Sequence, residues 1–142
     1  MIAGSLSDYW KLTSMKRSTG ERKAVRKLFA KLIGSEVSRF PKRGQRLAAP
    51  TRRGVYVIYD ARGRVVHVGR TPTARGGIAQ RLKDHMATAS SFTRQYRPLR
   101  GDGSKLRGKY AFRCVVVESR RLRALLEAYA TGQFCPDHIG LG

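Results

Sequence analysis

The stretch GVYVIYDARGRVVHVG, residues 54–69, decides the fold of this chain. Its first six residues are glycine, β-branched and aromatic side chains, a composition that suits a pleated, half-buried strand. Asp60-Ala61-Arg62-Gly63 carries turn chemistry: a short carboxylate that can accept backbone N–H groups, and a glycine that tolerates left-handed backbone. Arg64 to Gly69 then returns as a second strand. The whole stretch therefore predicts an antiparallel hairpin.

Working downstream, Thr71 to Gly77 reads as a loop with Pro72 and two adjacent glycines. Ile78 to Ala89 follows as a helix, with Ile78, Leu82, Met86 and Ala89 as its apolar stripe. Ser90 to Lys109 is polar, basic and glycine-containing, and is expected to be a long excursion or mobile loop. Tyr110 to Val117 is the clearest strand and belongs at the centre of the sheet. Ser119 can cap a helix running to about Thr131, with Leu122, Leu125, Leu126 and Tyr129 turned inward, and Gly132 ends it. The order β-β-α-β-α predicts an α+β domain over residues 52–142: a small antiparallel three-stranded sheet flanked by helices.

Upstream, residues 1–50 read as a basic helical arm. Ser18-Thr19-Gly20-Glu21 has the form of a capping box and opens a helix over 21–33, with Val25, Leu28, Phe29 and Leu32 on one face and Gly34 as a stop. Phe40 to Pro50 is a basic linker with two prolines and a glycine. The arm is expected to wrap the main domain or to track a phosphate backbone.

Charge narrows the partner. Thirty Lys and Arg oppose nine Asp and Glu, giving a net charge of +21. A folded domain so charged repels itself unless a polyanion shares the burden. Nucleic acid does so by releasing condensed counterions at each neutralised phosphate. An anionic membrane would recruit one basic amphipathic helix or a terminal cluster, whereas here the basic residues run along the whole chain. No apolar run approaches a membrane span, and the N-terminal residues carry no secretory pattern. The expectation is an intracellular, cytoplasmic protein associated with nucleic acid. Cys135 and His138 have the spacing of a zinc half-site, but the better reading of Cys114 and Cys135 is as small core residues.

Phosphodiester hydrolysis needs a group to hold a divalent cation, a path for a proton, and positive charge on the phosphate. With so few acids, elimination is informative. Asp8 and Glu36 lie in the arm, Asp60 in the turn, Asp102 in the loop, Glu21 at a helix start, and Asp84 off the stripe. Glu118, Glu127 and Asp137 remain. Glu127, on a helix beside the sheet and at the margin of its apolar stripe, is the best placed. Arg81 and His85 are four apart on one helix and share a face, pairing a fixed cation with a group that can carry a proton. The hairpin turn brings Tyr56 and His67 together nearby, which suits proton transfer.

Gly54-Val55-Tyr56, followed eleven residues after the tyrosine by His67-Val68-Gly69, resembles the hallmark of the GIY-YIG nuclease family. Arg81 and His85 on the next helix, Glu127, and Pro136 nine residues later are similar to further family positions. The chain departs from the pattern at His67, where the family has a second tyrosine, and at Asp137-His138-Ile139, where the family has an asparagine. The resemblance implies DNA hydrolysis with one divalent cation, Mg²⁺ or an equivalent such as Mn²⁺, held by Glu127. Tyr56 would activate or relay from water, His67 and His85 would assist, and Arg81 would hold the scissile phosphate.

The partner is then double-stranded DNA, contacted by Arg70, Arg75, Lys83, Arg94, Arg97, Arg100, Lys105 and Arg107. Cutting both strands from one small site takes two copies or two encounters, which leaves room for a dimer. The alternative expectation is a non-catalytic nucleic-acid-binding module that keeps the fold, including one associated with RNA.

Overall fold

The computed structural model describes residues 4–72 and 75–140. Thr73 and Ala74, within the expected 71–77 loop, lie outside the described residues, as do 1–3 and 141–142. Helix α1 runs Leu6–Ile33, strand β1 Ser38–Arg39, β2 Gly54–Tyr59 and β3 Val65–Arg70. Helix α2 (Gly77–Met86) and the short α3 (Ser91–Gln95) follow, then 3₁₀ turns at Arg97–Leu99 and Gly103–Leu106, strand β4 (Ala111–Val116) and helix α4 (Arg120–Phe134). The chain is an α+β fold whose antiparallel sheet is flanked by helices. Among the described residues no helix is long and apolar enough to cross a membrane.

The sheet has four strands, not three, in the order β1-β4-β2-β3. The two-residue β1 pairs Ser38 with Phe112 and Arg39 with Ala111, adding an edge that lies within the sequence expected to be arm and linker. Strand β2 is central, and its burial on both faces explains its unbroken apolar run. Alternation along it feeds two cores. Tyr56 and Ile58 pack with Phe40, Ile78, Leu82 and Phe92 on one side. Val55 and Val57 pack with Val25, Leu32, Val115 and Leu126 on the other. The hairpin turn is as read: Asp60 Oδ1 accepts from the backbone N–H groups of Arg62 and Arg64, both at 2.9 Å, and Gly63 takes φ of 80°.

Several further expectations are corrected. Helix α1 begins at Leu6 rather than near Glu21, capped by Ser5, whose Oγ accepts from Asp8 N at 3.2 Å. The helix continues through Ser18 and Gly20, because one interior glycine costs only about 1 kcal/mol. Glu21 therefore caps nothing and instead pairs with Arg121 of α4.

The 90–109 segment is ordered structure, not a loose excursion. Ser90 caps α3, Asp102 caps the second 3₁₀ turn, and Phe92, Tyr96, Leu99 and Leu106 are buried in the core. Gly103 lies so close to α2 that a Cβ there would sit 1.9 Å from the His85 carbonyl oxygen.

Helix α2 ends at Met86, leaving Ala89 exposed outside it, while His85 joins the buried face. Its first N–H groups are already satisfied, Ile78 N by Arg52 O at 2.9 Å and Ala79 N by Pro50 O at 2.8 Å. In α4, Arg123 is buried with Leu126 and Ala130, whereas Leu122, Leu125 and Tyr129 are only partly covered. Cys135 is exposed in left-handed backbone, and Cys114 alone packs against the core.

A candidate active-site cleft beside the hairpin

A cleft of about 470 Å³ opens between β2, β3, α2, α4 and the C-terminal segment, and its walls include Tyr56, His67, Arg70, Arg81, Glu127 and His138. Each strand supplies its group by register. Tyr56 faces Gly69 across the hairpin, and a Cβ on Gly69 would lie 2.3 Å from the Tyr56 hydroxyl. The glycine thus lets the phenol lie over the β3 backbone. His67 is stacked on Phe92, with ring centroids 4.5 Å apart and planes 15° from parallel.

Two hydrogen-bonded chains hold these rings. Thr93 Oγ1 donates to the Ser90 carbonyl at 3.0 Å, so the Ser90 hydroxyl donates to Thr93 Oγ1, also at 3.0 Å. Ser90 Oγ then accepts from His85 Nδ1 at 2.7 Å, which leaves His85 Nε2 as the acceptor of the Tyr56 hydroxyl at 2.7 Å. In this tautomer every proton of the chain has an acceptor. The second chain runs from Gln95 Oε1, which accepts from His138 Nε2 at 2.8 Å, to His138 Nδ1, which accepts from His67 Nδ1 at 3.0 Å. His67 Nε2 keeps its lone pair and makes no hydrogen bond with a described residue.

Electrostatics keep both chains neutral. Burial, then the neighbouring His138 and Arg81, drive His67 down to about 3. His85 is likewise held well below its ordinary 6.5, first by burial and then by His67 and Arg81. His138 is lowered by burial. Burial raises Tyr56 to about 12 although the Arg81 guanidinium favours its phenolate. Glu127 is raised by burial against the opposing pull of Arg70, whose Nε stands 3.6 Å from its carboxylate. Arg81 contacts Asp84 at 3.6 Å through Nη1, while its Nε is buried with no hydrogen-bond partner.

The other acids singled out by elimination are engaged elsewhere. Glu118 pairs with Arg52 at 2.9 Å and Asp137 with Arg64 at 2.5 Å, both at the exposed surface. The structure thus brings Tyr56, His67, Arg81 and Glu127 to one cleft, with His85 behind Tyr56.

The basic residues are less united. Arg70 lines this cleft, and Arg94 is anchored behind its Ser91 rim by Nε donating to Ser90 O at 3.3 Å. Arg75, Arg97, Arg100 and Lys105 are exposed. Lys83 and Arg107 face a separate cleft with Arg46. Reading the sequence missed Ser90, Thr93, Gln95 and Arg123, and took Gly69 only as the last residue of the hairpin motif. Only Arg123 had a signal, since it stands four residues before Glu127 on the same helical face.

Among the described residues no group of three His, Cys, Asp or Glu side chains is placed to hold a metal ion. Among the described residues Glu127 is the one carboxylate lining the cleft. That donor set fits Mg²⁺, which binds through one or two carboxylates and completes its shell with water and substrate phosphate. Arg70 and Arg81 beside it disfavour a cation that arrives without an anion, so the fit is to a cation accompanying phosphate.

No family model and no curated protein matches the chain. Among solved structures it is similar to the GIY-YIG N-terminal endonuclease domain of UvrC from Thermotoga maritima, in three point mutants each bound to its catalytic divalent cation. Identities are 20%, 20% and 19%, TM-scores 0.44, 0.43 and 0.42, with 64% of this chain and 86% of that chain covered. The family is the one that the hairpin motif resembles. At such values the likeness assigns no residue a role, and any functional reading stands on the cleft itself.

Proposed function

We propose that this chain is a metal-dependent endonuclease that hydrolyses phosphodiester bonds of double-stranded DNA at the hairpin cleft. One observation carries the reading: a phenol, an imidazole with a free nitrogen, two guanidinium groups and, among the described residues, a single carboxylate line one cavity in a protein of net charge +21. Glu127 would hold the cation, Mg²⁺ or Mn²⁺, which would supply Lewis-acid polarisation of the phosphate and a more acidic water.

Arg81 positions the scissile phosphate. Its side chain is 29% exposed, so the outer Nη groups of the guanidinium would meet the phosphate. Tyr56 and His67 orient the attacking water, the phenol through its oxygen and the imidazole through Nε2. Burial first, and then the neighbouring cations, make His67 and His85 weakly basic. An incoming phosphate is an anion, and it offsets the part of that depression owed to the neighbouring cations. The Tyr56 hydroxyl can then pass its proton to His85 Nε2 as it gains one from water.

The test is plasmid nicking with Mg²⁺ by the full chain, compared with Glu127→Ala and Arg81→Ala. Both variants are expected to lose nicking while still retarding DNA on a gel. Equal cleavage by the Glu127→Ala chain overturns the assignment. A wild-type chain that binds duplex DNA or RNA but cuts neither leaves a binding module of the same fold.

A further inference from the structure

Next to the hairpin cleft lies a second one of about 410 Å³, walled by Arg70, Arg81, Arg120, Arg123 and Glu127 with Thr71 and Pro72. Four guanidinium groups thus face one carboxylate. Arg123 is the unusual member, because only 2% of it is exposed. A buried charge is costly unless it is paired. Yet its hydrogen-bond partners are all neutral carbonyls: Nε donates to Thr71 at 3.1 Å, and Nη1 to Val117 at 3.0 Å and Glu118 at 3.2 Å. Those carbonyls fix the plane of the guanidinium. Its Nη2 makes no hydrogen bond with a described residue, and the residue forms part of the cleft wall.

We infer that this cleft is a second phosphate subsite, with the buried Arg123 as its fixed donor and the exposed Arg120 as its mobile one. Its ligand is a phosphate of the DNA backbone adjoining the one held by Arg81. Arg70, Arg81 and Glu127 line both clefts, so two consecutive phosphates of one strand can occupy them together. The assignment rests on the nucleic-acid reading above for its ligand, but its phosphate chemistry stands without cleavage. A guanidinium that keeps a free edge suits this task, since it offers a fork already oriented by the fold.

The experiment has two arms, both on the full chain without divalent cation. In the first, inorganic phosphate is titrated while the Arg123 Nε–H resonance is followed by NMR. A saturable shift of that signal is expected, with affinity weakened by up to about fivefold in Arg120→Gln, the upper end for one exposed ion pair. Arg123→Lys is expected to weaken it further. Should that chain fail to fold, the Arg120→Gln titration and the wild-type resonance decide alone. A stationary Arg123 signal, or unchanged affinity in Arg120→Gln, overturns the subsite.

In the second arm, duplex DNA affinity is measured against salt. Loss of one phosphate contact reduces the log–log slope by about 0.9. An unchanged slope in Arg120→Gln, with phosphate binding intact in the first arm, overturns the backbone assignment in favour of free phosphate. Cleavage by wild type and Glu127→Gln is scored separately. Phosphate binding without nicking then sinks the nuclease reading alone, and nicking without phosphate binding sinks the subsite alone.

Discussion

The Tyr56 hydroxyl occupies the space that a Cβ on its cross-strand partner Gly69 would need, 2.3 Å from the ideal Cβ position, with the ring carbon Cζ at 2.4 Å. Ring and glycine are thus one structural unit. The phenol reaches His85 only because the opposite strand carries no side chain there.

Replacing Gly69 by alanine should push the ring out of its place. Overpacking of this kind costs about 1–3 kcal/mol. A lowered thermal midpoint together with lost nicking is expected, the second because the 2.7 Å contact between Tyr56 and His85 cannot survive. An unchanged midpoint and unchanged nicking would show that the ring has another resting place.

Tyr56→Phe keeps the ring and removes the hydroxyl. The buried His85 Nε2 then loses its partner, a loss of about 1–3 kcal/mol in unfolding free energy. Nicking should fall by about 10²–10⁴-fold, the range of a positioned proton-transfer group, with DNA affinity held. Full activity in this variant would remove the phenol from the mechanism.

Ser90→Ala tests the chain behind the phenol. Ser90 Oγ accepts from His85 Nδ1 at 2.7 Å and from Thr93 N at 3.3 Å. Its removal frees His85 to adopt the other tautomer, which would donate to Tyr56 rather than accept from it. Stability should drop by about 1–3 kcal/mol, and the pH profile of nicking should shift. A profile superimposable on wild type would make Ser90 merely structural.

Acid should unfold the chain earlier than its carboxylates alone require. His67, His85 and His138 are all held below 6.5 by burial, so they bind fewer protons folded than unfolded. Stability is therefore full above pH 6.5 and falls as pH drops below it. His67, depressed to about 3, contributes a loss of about 2 kcal/mol between pH 6.5 and 5. Chemical denaturation at pH 7, 6 and 5 measures the slope. His138→Asn, whose amide does not protonate, should flatten it, and an equally steep slope in that variant would contradict this origin.

The hairpin was legible because its alternation and turn chemistry are local, and the Asp60 carboxylate behaves as that chemistry demands. The start of α1 was not, since Ser18 to Glu21 imitates a cap while Ser5 provides one. The 90–109 segment is illegible in sequence because its few apolar residues follow no single period. Phe92, Tyr96, Leu99 and Leu106 reach the core through one short helix and two 3₁₀ turns. Candidate site residues on regular elements could be named from spacing. The partners that orient them could not, as Gln95 meets His138 across 43 positions. Composition assigns arginine to the surface, and only tertiary structure shows Arg123 wrapped in carbonyls.

The segment after α4 turns back along β3, where Asp137 N donates to Val65 O at 3.4 Å and His138 N to Val66 O at 2.9 Å. β3 borders the sheet, and these two backbone bonds occupy part of its outward-facing hydrogen-bonding row. The same few residues that steady His67 also act as a seal. A chain clipped after Phe134 would present a raw strand to its neighbours and would be prone to stack into aggregates.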